Sequence, residues 1–334
     1  MSSVRVDPQR PGRELSGGRG RRSSPSEWRW KDRLALALAW IAGIGLCLIA
    51  AAIVLYMGYR GLQYLRPSLL ASRPEASISQ SASGGFLDPL EGTALLTAIG
   101  VLLAAPLAVG SAIWISEYGR PRWLARVVES SIEVVAGTPD IVIALFGLVL
   151  FQLSLFAPFS FTASGGGVFG RSFIAAGAMM SLIAIPPLFT ATRDGLQAVP
   201  AHMREAAFAL GKTRIATIRS VLLPSVRSNI ATGVTLGVSR VIGDTAIVVL
   251  LLGNTLRIEP EGSVPIVGLL RGTGATLTSY VFDNSPAGEG GAPQKAYAAA
   301  FLLMVFVLAL NLLVDRIGRS QADSTGLTVA GAVV

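Results

Sequence analysis

The sequence predicts an all-α integral membrane protein with six transmembrane helices. Of its 334 residues, 51% are hydrophobic and only 14% are charged, and the mean hydropathy is +0.59. Soluble domains carry about 25% charged residues, so this composition excludes soluble globular, disordered and disulfide-stapled secreted proteins. In addition, several apolar stretches reach the roughly 20 residues that cross a bilayer as a helix.

Six apolar runs supply the predicted spans. They are Leu34–Met57, Thr93–Ile115, Ile141–Phe156, Ser172–Thr190, Ile230–Leu252 and Tyr297–Val314. The first run exceeds the roughly 7–15 residues of a signal-peptide core, so we expect an uncleaved first transmembrane helix at 34–57. We interpret 123–156 as one segment broken near Gly137, because the following Pro139 suits the first turn of a helix but not its interior.

The distribution of basic residues predicts that both termini are cytoplasmic. With that orientation, 20 of the 28 Lys and Arg residues fall on cytoplasmic segments and 7 on external ones. Residues 1–33 are expected to form a disordered basic cytoplasmic tail, and residues 320–334 a C-terminal tail. The segment 254–296 is expected to be a mobile external loop. The net charge of +8 is explained by the accumulation of Lys and Arg on cytoplasmic segments of membrane proteins, so no nucleic-acid partner is predicted.

Single-residue counts exclude several kinds of site. Cys47 is the one cysteine, so an intrachain disulfide or a paired-cysteine redox or zinc site is impossible. His202 is the one histidine, so a multi-histidine metal site is impossible. We therefore predict no metal site and no catalytic residue.

A polar loop between the fourth and fifth runs predicts a short helix at about 200–211. Pro200 can open a helix and Gly211 can close one, and Glu205, Ala206 and Ala207 between them all favour helix. Small alanines leave a surface that another protein can approach closely. From helix pattern alone, an ordinary amphipathic connector is the favoured interpretation.

The same loop resembles the EAA motif of ABC importer permeases. The matching residues are Glu205, Ala206, Ala207, Gly211, Val221, Leu223 and Pro224, with Val221 where isoleucine is usual. In that family the short helix docks on a cytoplasmic ATPase subunit. The resemblance implies a type I ABC importer (MetI-like) permease core over 92–319, coupled to the ATPase through Glu205, Ala206, Ala207, Gly211, Leu223 and Pro224.

The chain is predicted to lack its own ATPase site. Gly211, Lys212 and Thr213 are similar to the end of a phosphate-binding P-loop, but Ala206 occupies the place of its first glycine. A P-loop also needs a preceding strand, whereas a helix is expected here. We therefore expect a transport subunit, not an enzyme, with no cofactor on this chain and with ATP and Mg²⁺ on partner subunits.

Further segments resemble the phosphate-uptake permeases, closest to the PstA type. They are 115–118, 136–142, 145–147, 191–200 and 239–246. The chain departs from that pattern at Asp244, where glutamate is usual, and at Asp140, where serine is usual. The resemblance implies ATP-driven import of inorganic phosphate by alternating access in the bacterial cytoplasmic (inner) membrane. The implied partners are a second permease subunit, two cytoplasmic ATPase subunits, an extracytoplasmic phosphate-binding protein and membrane lipid.

Arg240 is the leading candidate for the substrate path. It lies near the middle of the fifth run, and a charged side chain inside a span costs at least about 2.5–3.5 kcal/mol and is by default functional. Its planar fork of donors matches phosphate oxygens. Asp244, one helical turn further on, is expected to hold it, with Thr245 beside it. The alternative is that the pair of Arg240 and Asp244 only holds helices together.

The helix break at Thr138 is a second candidate for the substrate path. Free N–H groups at the start of a half-helix attract anions, although Asp140 places negative charge at the same spot. Three other functions remain open. They are a permease for another oxyanion such as sulfate or molybdate, a self-powered secondary carrier or channel, and an intramembrane enzyme, which would need paired catalytic groups deep in the membrane.

Overall fold

The computed structural model describes residues 30–74, 84–160, 169–253, 255, 258, 265–286 and 292–330. Over these ranges the chain forms helices and connecting turns, which confirms the all-α class. The chain divides into two units, Met1–Leu55 and Tyr56–Val334. The predicted tail 1–33 lies outside the described residues except for its last four positions.

Helix α1 covers Trp30–Leu62, which includes the predicted first span. Within the first unit nearly all of its described side chains are exposed, including large apolar ones on every side. A helix that is hydrophobic all round is typical of a membrane span, because lipid solvates every face. Cys47 is among these exposed residues.

The second unit contains the remaining helices. They are α2 (Pro67–Ala71), α3 (Leu87–Ile113), α4 (Arg122–Gly137), α5 (Asp140–Gln152), α6 (Phe173–Ala198), α7 (Ala201–Ala209), α8 (Arg214–Thr217), α9 (Leu223–Ser225), α10 (Arg227–Gly243), α11 (Pro265–Arg271), α12 (Leu277–Asn284) and α13 (Pro293–Ala330). Turns of π-helix occupy Trp114–Tyr118, Ile218–Leu222 and Val248–Leu252, and a 3₁₀ helix occupies Ser154–Phe159.

Helix α6 lies at the centre of the second unit. It packs along α3 and α10, and α10 packs in turn against α13. Glycines permit the close approach: a Cβ on Gly177 would lie 2.4 Å from Cγ2 of Ile99, and one on Gly233 would lie 2.8 Å from Cδ1 of Leu188. Small residues at such contacts are typical of membrane helices, which associate through close packing.

Two of the predicted spans are interrupted. Helices α4 and α5 meet at an angle of 107°, at the break that the sequence places near Gly137. The fifth predicted run, 230–252, is also divided, because α10 ends at Gly243 and helix resumes only at Ala246.

The six-span count is not confirmed. Among the described residues, four helical stretches are long and apolar enough to cross a membrane, or five if the bent pair α4–α5 is one span. The four stretches are Asp32–Leu62, Leu87–Tyr118, Phe173–Ala198 and Pro293–Val314. The break after Gly243 leaves two shorter helices where the sequence predicted a continuous fifth span.

The segment 254–296, predicted to be a mobile loop, contains α11 and α12 where it is described. Thr276 and Ser279 form a capping box at the start of α12, which satisfies free N–H groups of its first turn. Helix α13 extends to Ala330, well into the predicted C-terminal tail, whose last residues 331–334 lie outside the described ranges.

Candidate functional site

The segment after α6 forms α7, where the sequence predicted a helix at about 200–211. Pro200 directly precedes the helix, and its φ of −60° is already suited to helix entry. The helix ends at Ala209, and Gly211 has a φ of +76°, in the left-handed region that glycine commonly adopts at helix ends. The Gly211 N–H donates to the carbonyl of Phe208 over 2.9 Å, which satisfies one of the last carbonyls of α7.

Helix α7 presents small and apolar side chains on its exposed surface. Glu205 and Ala206 are exposed, whereas Ala207 is buried. The exposed large apolar residues of α7 and the stretch after it are Met203, Phe208, Leu210 and Ile215. Leu210 is the most exposed of them, at 81%. An exposed group of apolar side chains on a polar loop is typical of a protein contact surface.

The end of the EAA-like motif lies against the interior. Leu223 and Pro224 begin α9 and are half-buried. The neighbouring Leu222 is fully buried, in one hydrophobic cluster with Leu188 and Leu196 of α6. The motif therefore runs from an exposed helix to a buried anchor on the central helix.

Arg204, the residue before the Glu-Ala-Ala sequence, joins α7 to two other elements. Its Nε lies 3.0 Å from Oε1 of Glu117, in the π-helical turn after α3. Its Nη1 and Nη2 donate to the carbonyls of Val199 and Leu196 over 2.8 and 2.7 Å. These carbonyls lie at the end of α6, where backbone acceptors lack partners within the helix. One guanidinium thus connects α7 with α6 and with the end of α3.

Arg214, at the start of α8, reaches the same π-helical turn. Its Nη1 donates to the backbone carbonyl of Glu117 over 2.8 Å, and its guanidinium lies 5.5 Å from the centre of the Tyr118 ring. The second contact has the geometry of a cation–π interaction. The loop that carries α7 and α8 is therefore held to the end of α3 from both sides.

The first helix break centres on Thr138. Its backbone turns to φ −80° and ψ 132°, and its hydroxyl donates to the carbonyl of Val134 over 2.7 Å. Pro139 follows in an extended conformation, and Asp140 is the first residue of α5. A carboxylate at this position is favourably placed toward the positive end of the α5 dipole.

The second break, at Asp244, repeats the backbone geometry of the first. Asp244 also has φ −80° and ψ 132°, and it also follows a glycine that ends a helix. Its side chain is buried, and Oδ2 accepts from the N–H of Ile247 over 2.7 Å. Asp244 therefore caps the helix that resumes after the break, beside the half-buried Thr245.

The predicted ion pair between Arg240 and Asp244 is wrong in its partner. Arg240 Nη2 lies 2.8 Å from Oδ1 of Asp140, at the other helix break. Asp244 lies close enough to interact electrostatically with both side chains. The Asp244 carboxylate instead accepts from the N–H of Ile247, and Asp140 of α5 meets the guanidinium. The Arg240 side chain is 51% exposed and that of Asp140 is 25% exposed.

The structure thus assembles two groups of candidate residues. Arg240, Asp244, Thr245 and Thr138 lie at or next to the helix breaks, joined by Asp140, whereas the EAA-like residues lie on and after α7. Sequence reasoning missed the contacts of Glu117, Arg204 and Arg214. The available signal was an acidic residue just after an apolar run, one arginine directly before the Glu-Ala-Ala sequence and another after α7. Within the described ranges, no three His, Cys, Asp or Glu side chains are grouped to hold a metal ion.

Most of the chain matches a known protein family. Residues 104–323 match the family described as "Binding-protein-dependent transport system inner membrane component". The match includes α7, the whole EAA-like motif and both helix breaks.

Named relatives include phosphate permeases of both subunit types. The phosphate transport system permease protein PstC of Xylella fastidiosa (strain 9a5c) is 29% identical over 330 residues, covering 92% of this chain and 96% of that protein. The phosphate transport system permease protein PstA 1 of Mycobacterium tuberculosis (strain CDC 1551 / Oshkosh) is 28% identical over 235 residues, covering 70% and 71%. The PstA-type assignment therefore stays a prediction.

A solved structure shares the fold. The crystal structure of a bacterial alginate ABC transporter, in complex with an alginate pentasaccharide-bound periplasmic protein, contains a chain that superposes with a TM-score of 0.61. The two chains are 15% identical, and the match covers 87% of this chain and 96% of the other.

Proposed function

Since this chain belongs to the family of binding-protein-dependent transport system inner membrane components, we propose that it is the membrane-spanning permease subunit of an ATP-driven importer of inorganic phosphate. The observation that supports phosphate as the substrate is the similarity to a phosphate permease over 92% of this chain and 96% of that relative. The family supports the coarser function, an importer subunit in the inner membrane, independently of the substrate.

The chemistry of the helix breaks supports an anion as cargo. Arg240 is permanently charged, and its fork of N–H donors matches the oxygens of phosphate. Half of its side chain is exposed, so an anion can reach it without a large rearrangement of the surrounding helices. The carboxylate of Asp140, at the first residue of α5, lies 2.8 Å from it. In the proposed path, phosphate passes this group during alternating access.

The surface of α7 supports coupling to a separate ATPase. Its exposed apolar side chains suit docking into a groove on a cytoplasmic partner, as helix-in-groove recognition requires. The left-handed Gly211 gives the loop a defined exit from that helix. We assign Glu205, Ala206, Ala207 and Gly211 to this contact, and Leu223 and Pro224 to its anchor on the membrane helices.

The proposed assembly contains a second permease subunit, two ATPase subunits and an extracytoplasmic phosphate-binding protein. The family description itself names dependence on a binding protein. Catalysis of ATP hydrolysis is assigned to the partner subunits, so this chain contributes the path and the coupling helix. The exposed apolar faces of its membrane helices are assigned to lipid and to the second permease subunit.

Uptake in a defined system tests this function. The complete complex is reconstituted in proteoliposomes with ATP inside, and entry of radiolabelled phosphate is measured with its binding protein outside. We expect uptake that requires ATP and that excess unlabelled phosphate abolishes, while sulfate and molybdate compete poorly. A complex with a hydrolysis-deficient ATPase subunit is the control, and uptake by that control would identify a secondary carrier or channel instead. Stronger competition by sulfate or molybdate than by phosphate would assign the other oxyanion.

A further inference from the structure

Glu117 contacts the loop that carries α7 and α8, at the end of α3. Its carboxylate pairs with Arg204 over 3.0 Å, and its backbone carbonyl accepts from Arg214 over 2.8 Å. Arg204 lies on α7 and Arg214 on α8, so both helices of the loop contact the same residue. No other described residue of α3 or of the turn after it has an ion pair with the loop.

The pair is shielded more than an ordinary surface ion pair. The side chain of Glu117 is 9% exposed and that of Arg204 is 22% exposed. Removing one partner from such a pair leaves a charge without compensation, which is more disruptive than breaking an exposed pair. Two further hydrogen bonds from Arg204 to Val199 and Leu196 hold the guanidinium in one orientation. The contact is therefore a defined mechanical link and not a mobile surface pair.

Glu117 also lies at a change in the helix itself. The turn Trp114–Tyr118 is π-helical, and the chain leaves it at Gly119 with a φ of +50°. Single π-helical turns are costly and occur frequently at functional positions. Here the turn continues α3 without interruption, so displacement of Glu117 acts directly on a long membrane helix that packs on α6.

We propose that Glu117 is a positioning residue that passes movement of α7 to α3, through its ion pair with Arg204. This inference rests on the proposed function, in which an ATPase subunit moves α7. With the pair intact, displacement of α7 carries the end of α3 with it. Without the pair, α7 stays docked on the ATPase but moves partly independently of α3, so hydrolysis and opening of the path are uncoupled.

The test compares ATP hydrolysis by the complete reconstituted complex with and without phosphate-loaded binding protein. For Glu117→Gln we expect stimulation to fall at least about fivefold, while ATPase subunits still co-purify and basal hydrolysis stays within about twofold of wild type. Glu117→Asp retains the charge and should recover at least half of the stimulation. The double variant Glu117→Gln/Arg204→Gln should be no worse than Arg204→Gln alone, because the two residues act as one unit.

Glu129→Gln is the matched control. Glu129 on α4 pairs with Arg193 on α6 over 2.9 Å, a similar contact that does not involve α7 or α8. We expect its stimulation to stay within about twofold of wild type, as for a single pair outside the coupling route. Wild-type stimulation in Glu117→Gln, or an equal loss in Glu129→Gln, would overturn the proposal. Absence of stimulation in the wild-type complex by any oxyanion would overturn the proposed function, and this inference with it.

Discussion

Arg240 on α10 and Asp140 at the start of α5 form an ion pair over 2.8 Å that connects two helix breaks. The breaks share the same backbone geometry and both follow a glycine. The carboxylate of Asp140 is therefore bound to the same guanidinium that we propose contacts the substrate. An anion that binds Arg240 must share this group with Asp140 or displace it.

Substitutions of Arg240 test its contact with phosphate. Arg240→Gln should abolish phosphate uptake, and Arg240→Lys should retain less than about a tenth, because lysine is a point charge without the bidentate fork. The measurement is ATP-dependent uptake by the reconstituted complex. Arg227→Gln, a substitution at the first residue of the same helix, is the control and should transport at close to the wild-type rate.

A double variant separates a substrate contact from a packing contact. The Arg240–Asp140 pair is half-exposed and contributes little stability, and replacing both members of an ion pair by apolar residues is often tolerated. Arg240→Leu/Asp140→Leu should therefore assemble and reach the membrane but carry no phosphate. Transport near the wild-type rate would show that the pair only joins the two helices and that the path lies elsewhere.

Removal of the Asp140 carboxylate should tighten the interaction with phosphate. Half-exposed ion pairs contribute about 0.2–1 kcal/mol, so Asp140→Asn should lower the KM for phosphate by up to about fivefold. Glu133→Gln, an exposed carboxylate on α4, is the control and should leave the KM unchanged. An increase in KM for Asp140→Asn would mean that the carboxylate orients Arg240 for binding and does not compete with substrate.

Asp244 should contribute mainly to stability. Its carboxylate caps the helix that resumes at Ala246, and loss of such a cap costs about 1 kcal/mol. Asp244→Ala should lower the Tm of the purified complex, whereas Asp244→Asn retains an acceptor oxygen and should lower it less. Equal effects of the two substitutions would indicate that the negative charge matters and not the hydrogen bond to Ile247.

Gly211 should be intolerant of side chains. Its φ of +76° places it in a region that costs residues with a Cβ about 1–2 kcal/mol. Gly211→Val should therefore distort the exit of α7 and reduce co-purification of the ATPase subunits. Gly110→Ala is the control, because a Cβ there meets nothing within 4 Å and its φ is not positive. Full binding of the ATPase by Gly211→Val would show that docking does not require the left-handed conformation of Gly211.

The charge distribution predicts which segments are reached from outside the cell. Single cysteines at Ser3, Ser79, Ser285 and Ser324, on a Cys47→Ala background, are treated with an impermeant thiol reagent in intact cells. Cys47 is replaced because it is the one cysteine of the native sequence. We expect labelling only at Ser79 and Ser285. Labelling at Ser3 or Ser324 would contradict the orientation with both termini cytoplasmic.

Features set by neighbouring residues were accessible without coordinates. The break near Gly137 could be predicted because Pro139 cannot continue a helix interior. The bounds of α7 could be predicted because Pro200 favours a helix start and Gly211 accepts a left-handed φ. The membrane class followed from apolar length, which requires no knowledge of packing. Each of these inferences depends on local conformational preference or on composition.

The break at Asp244 marks where that reasoning stops. An apolar run of adequate length predicted one continuous span, but the polar pair Asp244-Thr245 interrupts it within the run. The expected contact between Arg240 and Asp244 failed for a separate reason: the Asp244 carboxylate accepts from the N–H of Ile247, and Asp140 of α5 meets the guanidinium of Arg240. Hydropathy averages over the two polar residues Asp244 and Thr245 and therefore does not detect the break.

Length, apolar runs, turn residues and the EAA-like spacing are properties of short stretches of chain, and they are enough to predict the membrane class and the helix α7. The partners of the charged side chains are not such properties. Arg240 meets Asp140 across 100 residues of sequence, and Arg204 meets Glu117 across 87. Each of these arginines has acidic residues much closer in sequence. The choice among them arises from helix packing around α6, which brings distant segments within hydrogen-bonding distance and turns nearer ones away.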